Sequence, residues 1–320
     1  MSTTESQGAV RWTIVLPLIG IAAVLVAPIL FWRNAVPEPV DLVALVQSNQ
    51  DAAWDALEKY EYTGTYDIHS MVNVVDATRR EGTIRCVVDD ANLHVAMRGS
   101  TTRGGASSPT DTFGVRTAQF AATFIDNAGI HQDLLFVEGN TNPEAPAFDD
   151  ACDHADARVV ALPLAHFRRA GRDYRYEAVE SVNPAGDPVI TIEVWTTGEK
   201  PWKHRTLEVN PRKGYLCEKQ TLHVQGDAFF QLLAEFDEVE PGIWFPKRFA
   251  RVERGERGGG FNYTYTIDSV NLNPPIDPAL FSEKGLNCPP EMWAREFSRV
   301  STSSGSALVS KAGAFRAGER

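Results

Sequence analysis

The chain has 320 residues, 43% of them hydrophobic, and carries a formal net charge of −11. That length accommodates one large domain or two small ones, and the apolar content excludes wholesale disorder. The acidic balance, with no Lys/Arg stripe interleaved by aromatics, argues against a nucleic-acid partner, because phosphate backbones are held by basic patches.

The first element is "TIVLPLIGIAAVLVAPILF", Thr13 to Phe31, uncharged throughout and flanked by Trp12, Trp32, Arg11 and Arg33. An apolar run of about 18 or more residues is long enough to cross a bilayer as a helix, with tryptophans at the interfaces. Signal-peptide cleavage is disfavoured, since a cut after Ala27 meets Pro28 and a cut after Ala35 puts Arg33 among the recognised positions. The expected organisation is a short tail over 1–12, a retained transmembrane anchor over 13–32, and a linker over 33–40. A short tail before the span and a long domain after it predict a single-pass protein of the cytoplasmic (inner) membrane with its main domain in the periplasm.

"DLVALVQSNQDAAWDALEKY" then reads as a helix with one apolar stripe, and its polar "SNQD" is a place where it would break. From Tyr60 the texture turns to strands: "YEYTGTYDIHSMVNVV", "EGTIRCVVDD" and "NLHVAMRG". "STTRGGASSPTD" reads as a loop. The stretch from Phe113 to Gly139 fits either two apolar strands or a helix and a strand. "DDACDHADARVVALPLAHFRRAG" has aspartates first and arginines last, as a helix dipole prefers; Pro163 should divide it and Gly171 stop it.

Six or seven strands with legible turns follow, ending in "FNYTYTIDSVNLN", and predict an antiparallel meander in a barrel or strongly curved sheet. Within it, "PGIWFPKRF" places Pro246 inside a strand, so that strand must lie at an edge or be bulged there. Strand parity groups Phe230 and Phe236 with Phe245 and Phe249 and with Tyr263 and Tyr265. So aromatic a face needs a cover, and the two helices are the available ones. In "IDPALF", Asp277 should cap a single helical turn opened by Pro278. The tail over 298–320 is rich in Ser, Gly and Ala and reads as disordered.

Chemistry-bearing motifs are scarce. No nucleophile elbow, HExxH, P-loop or Rossmann glycine pattern occurs, so no catalytic residue, metal or cofactor is assigned. Cys152 and His154, with His166 further on, match no zinc spacing. Four cysteines, Cys86, Cys152, Cys217 and Cys288, permit two disulfides in an exported domain, with three pairings open.

The ordered blocks "EVNPRKGYLCEKQTLHV", "FFQLLAEFDEVEPGIWFPKRFARVER" and "YTYTIDSVNLNPPIDPALF" resemble the LolA-like group. That group comprises lipoprotein carriers of the outer membrane, related lipid-binding lipoproteins and RseB-type sensor domains. The resemblance covers roughly residues 40 to 285 and is carried mainly from Tyr174 onward, with Asn210 where the group's turn usually has Asp. It implies a mainly β (α+β) domain over 41–290: a curved antiparallel sheet forming a half-open barrel, covered by helices. The implied partners are a lipid or an acylated lipoprotein, with the aromatic residues named above as cavity-wall candidates. A tethered chain cannot shuttle between membranes, so a membrane-attached lipid binder is expected, and a scaffold or sensor acting through an envelope protein is the alternative. No position matches the carriers' lid-contacting arginine, so no individual site residue is transferred.

Overall fold

A computed structural model describes residues 41–71, 77–118, 120–128, 131–138, 155–183, 185–224, 227–253, 260–294 and 315–316. Chain contacts divide the molecule into two units, Met1–Asp41 and Leu42–Arg320, and the second contains everything below. The apolar stretch Thr13–Phe31 lies outside the described residues; among those described, no helix is long and apolar enough to cross a membrane.

The domain opens with helix α1 (Leu42–Ala56). Six strands follow: β1 (Lys59–Met71), β2 (Ala77–Asp89), β3 (Asn92–Arg103), β4 (Ala106–Arg116), β5 (Phe120–Asn127) and β6 (His131–Glu138). Two short helices come next, α2 (Ala157–Ala161) and α3 (Pro163–Arg169). Seven more strands complete the sheet: β7 (Tyr174–Val182), β8 (Pro188–Thr196), β9 (Lys203–Asn210), β10 (Leu216–Val224), β11 (Asp227–Glu240), β12 (Ile243–Glu253) and β13 (Gly260–Leu272). A two-residue strand β14 (Phe315–Arg316) pairs with β6, inside the tail expected to be disordered.

All strands join one antiparallel sheet in the order β14-β6-β5-β4-β3-β2-β1-β13-β12-β11-β10-β9-β8-β7. It is two meanders joined where β1 pairs with β13. The ends of the order, at β14 and β7, do not pair with each other, so the half-open barrel expected is an open sheet. Gly82 and Gly99 lie directly opposite on β2 and β3. A Cβ on Gly82 would collide with the Arg98 carbonyl oxygen and one on Gly99 with that of Glu81. Only glycine permits so close an approach of backbones.

Several expectations are corrected. The "loop" over residues 100–111 is a hairpin: β3 and β4 pair through to Arg103–Ala106, and Gly104 and Gly105 supply the two positive φ angles, 57° and 84°, that a tight two-residue turn requires. The stretch from Phe113 to Gly139 takes the first of its two readings, strands rather than a helix and a strand: the end of β4, then β5 and β6. The helix α1 runs unbroken through Ser48–Asp51, because Gln50 is buried and bonded to other elements rather than to its own backbone.

Other expectations hold. The helical segment is divided at Leu162–Pro163, and Gly171, at φ 65°, ends it, although residues 149–154 lie outside the described set. Pro246 sits at a bulge, where Phe236 pairs with Pro246 and Glu235 with Arg248, and beyond the last β12–β13 pair. Asn210 caps the turn Pro211–Lys213 by accepting from Arg212 N at 2.9 Å, the role a carboxylate would fill. Asp277 caps Pro278–Phe281 in the same way.

Register defines one apolar face across the sheet. Opposed residues on it include Ile192 with Leu207, Leu207 with Gln220, and Gln220 with Leu232. The row continues with Ala234 facing Phe249, Phe249 facing Tyr265, and Tyr265 facing Tyr66. The helices cover this face: Val46, Leu164 and Phe167 pack on Ile190, Ile192 and Val209, while Trp54, Val160 and Ala165 join the cluster of Tyr62, Phe236 and Phe245. On the opposite face, Leu286, Met292 and Trp293 lie against Phe113, Val115 and Phe124 of the first meander.

Candidate functional site: an aromatic wall beside an arginine cleft

The six candidates gather on one side of the sheet. Phe236, Phe245, Phe249, Tyr263 and Tyr265 belong to the central cluster, none more than 5% exposed, and Phe230 packs against it half-buried. Phe249 and Tyr265 have ring centroids 4.8 Å apart, and Tyr263 and Tyr265 5.3 Å. Phe245 meets Tyr60 edge-on at 5.1 Å. Arg251 lies over the Phe230 ring at 4.2 Å. The wall is therefore packed by its own neighbours and by helices α2 and α3. None of the six lines the cleft described next.

That cleft, about 520 Å³, lies where α1, α3 and the segment before α2 meet the β2–β3 turn and the end of β4; Trp54, Asp90, Arg116, Asp156, Arg158, His166 and Arg169 are among its lining residues. At its base Asp156, 1% exposed by side chain, caps α2 and gathers donors from three elements. Its Oδ1 accepts from Tyr60 Oη at 2.9 Å and from Arg158 N and Nε, each at 3.1 Å. Its Oδ2 accepts from Arg158 Nη2 at 3.0 Å and Arg116 Nη2 at 3.2 Å. Tyr60 Oη also accepts from Ala157 N at 3.1 Å, so one tyrosine latches α2 to β1.

Burial alone would raise the Asp156 carboxyl, but the Arg158 and Arg116 charges outweigh it and hold the group well below the carboxylate range. Burial drives Tyr60 upward and keeps it a neutral donor. The Arg158 guanidinium lies over the Trp54 ring at 4.5 Å. Trp54 also stacks on His166 at 6.1 Å, and burial, with the charges of Arg116 and Arg205, lowers that histidine to about 3.

Sequence reasoning passed over this cluster because aspartates before a helix read as dipole partners. The signal available was "DAR" running straight into "VVALPL": a charged pair so close to a fully apolar run must be buried with it. His166 is a packed ring in the cleft wall, while Cys152 and His154 lie outside the described residues. No group of three potential metal ligands forms among the described residues. Cys86, Cys217 and Cys288 are free thiols; burial raises all three, Cys217 to about 12 and Cys288 to about 11.

No family model matches the chain, and no curated protein matches it. Solved structures do. It is similar to a Vibrio parahaemolyticus domain provisionally described as an outer membrane lipoprotein-sorting protein, at 10% identity over 76% of this chain and 97% of that one, TM-score 0.48. It is similar to a DUF1329 family protein from Desulfovibrio piger, at 10% identity over 75% and 98%, TM-score 0.42. A LolA superfamily protein from Nitrosomonas europaea aligns at 10% identity over 76% and 98%, TM-score 0.40. At that identity and superposition the likeness carries no function across.

Proposed function

We propose that this protein is a membrane-anchored, extracytoplasmic binding domain that holds the acyl chains of a lipid or lipoprotein against the apolar face of its open sheet, without catalysis. The observation carrying this reading is that face: apolar side chains from both meanders lie on one side, covered by α1 and by two short helices of five and seven residues rather than by a second sheet. In this reading the cover, divided at Leu162–Pro163, gives way to an acyl chain, which gains about 0.8 kcal/mol per buried methylene. The ordered LolA-like motifs support the same class of ligand. The apolar run Thr13–Phe31 supports the inner-membrane anchor and periplasmic placement.

A second reading, an envelope scaffold or regulatory sensor acting through a protein partner, is favoured by the packing of the aromatic wall, whose five deepest members are at most 5% exposed. Native mass spectrometry of the exported protein, purified without harsh extraction, separates the two. An adduct of acyl-lipid mass, removed by organic solvent and absent from a folded Phe245→Glu/Tyr263→Lys variant, is expected from the first. A bare protein mass with no uptake of a fluorescent fatty acid supports the second.

A further inference from the structure

The floor of the arginine cleft has more donor capacity than the protein uses. Arg158 is 2% exposed, with Nε and Nη2 engaged by Asp156 and Nη2 also donating to the Asp90 carbonyl oxygen at 2.9 Å. Its Nη1 is buried with no hydrogen-bond partner. Buried guanidinium nitrogens are ordinarily satisfied, because an unmade bond there leaves the desolvation of a charged donor uncompensated.

A second guanidinium lies beside it. Asp156 is one carboxylate shared by two guanidiniums, those of Arg116 and Arg158. At the mouth, Arg169 is paired with the exposed Asp55. Asp90 also lines the cleft and is its second acid. Two guanidiniums thus meet on one buried carboxylate at the floor, where low dielectric strengthens any interaction with a ligand. The planar guanidinium fork matches carboxylate and phosphate oxygens in particular. Trp54 and Val159 give the same cleft apolar wall, and Tyr60 connects its floor to Phe245 of the aromatic face.

We propose that this cleft binds an anionic head group, a carboxylate or a phosphate, whose oxygen accepts from Arg158 Nη1 with Arg116 beside it. The proposal rests on the acyl-binding reading only for the tail such a head group would carry; the anion site stands on Arg158 itself.

The test is calorimetric titration of the full-length chain in a neutral maltoside detergent with octanoate, octyl phosphate, 1-octanol and inorganic phosphate. Octanoate or octyl phosphate should bind about tenfold or more tighter than 1-octanol, and whichever is tighter tells a carboxylate from a phosphate source. Arg158→Lys, which keeps the charge but loses the fork, should reduce that anion to the level of the alcohol. Arg116→Gln leaves the Arg158–Asp156 pair in place and should weaken anion binding several-fold with 1-octanol unchanged; it decides the matter where Arg158→Lys does not fold. Equal binding of the three octyl compounds, or full anion preference in both folded variants, overturns the anion site and leaves the acyl reading intact. Arg158-dependent binding of inorganic phosphate with no binding of 1-octanol supports the anion site and removes the acyl reading. Binding of none of the four overturns both.

Discussion

His166 shows what burial does to a single titrating group. Its ring is 9% exposed, stacked on Trp54 and tilted against Phe167, with Arg116, Arg158, Arg205 and Asp156 as its charged surroundings. An unfolded histidine titrates near 6.5, whereas this one is held down to about 3. Between those values the unfolded chain binds a proton that the folded one refuses, so stability is complete above about pH 6.5 and falls as the pH drops toward 3. At pH 5 the loss from this residue is about 2 kcal/mol. His204, lowered to about 4 by burial and by Arg205 and Arg172, acts in the same direction. Asp156 does not contribute there: its depressed carboxyl supplies stability above about 3.8 that is lost only at lower pH. Urea denaturation at pH 7 and pH 5 should show the wild type losing stability, and His166→Phe should recover about 2 kcal/mol of that difference. An unchanged difference in the variant would mean His166 is not the buried neutral group described.

Among the elements, α1 is held by its apolar stripe and by one polar clip. Gln50, fully buried, donates Nε2 to the Tyr215 carbonyl oxygen at 3.0 Å and accepts from Leu164 N at 2.9 Å through Oε1. It therefore satisfies the first turn of α3, whose N-terminus has no side-chain cap of its own, and the turn before β10. Gln50→Leu keeps helix propensity and adds apolar bulk, yet strands both groups away from water, each orphan costing about 1–3 kcal/mol. The urea midpoint should fall accordingly, with far-UV circular dichroism retained; a neutral variant would show that water replaces the clip. This is also where the sequence stopped being readable. Hairpins announced by Pro-Gly, Asn-Pro or Gly-Glu-Lys-Pro were legible, because turn chemistry is local, and the alternation in Tyr263 and Tyr265 placed their face correctly. Helix α1 looked breakable at Ser48–Asp51 because a buried glutamine and an exposed one are identical in a string of letters. The β3–β4 hairpin was hidden by polar residues on strands whose ends face solvent, at Thr101–Arg103 and Ala106–Ser107.

At the scale of the whole molecule, the sheet is assembled by one long-range join. The first meander runs outward from β1 to β6, α2 and α3 cross the apolar face, and the second meander returns from β7 to β13 to pair with β1 along its length. No local pattern could disclose that pairing, nor the second apolar face that Phe113, Val115 and Phe124 form. The arginine cleft was illegible for the same reason, since Tyr60, Arg116 and Arg158 come from three separate elements. The chain after β13 answers the second apolar face: Leu286 is fully buried among Phe113, Val115 and Phe124, and Trp293 meets Phe120 edge-on at 5.4 Å. His94 Nε2 lies 3.0 Å from the Gly285 carbonyl oxygen and ties this cover to β3. A chain stopped after Asn273 should therefore expose a contiguous apolar patch, and patches of several hundred Å² drive association. Increased binding of a hydrophobic dye and elution at larger size than the full-length protein in size exclusion are expected for it. A chain stopped after Ala294 keeps the cover and should elute as the full-length protein does, because the two-residue β14 is too short to hold an edge. Within the cover, Leu286→Ala should cost about 2–5 kcal/mol, as buried leucines do. If the shorter chain instead elutes at no larger size than the full-length protein and unfolds at the same urea concentration, the segment is an accessory to the sheet rather than the second half of its core.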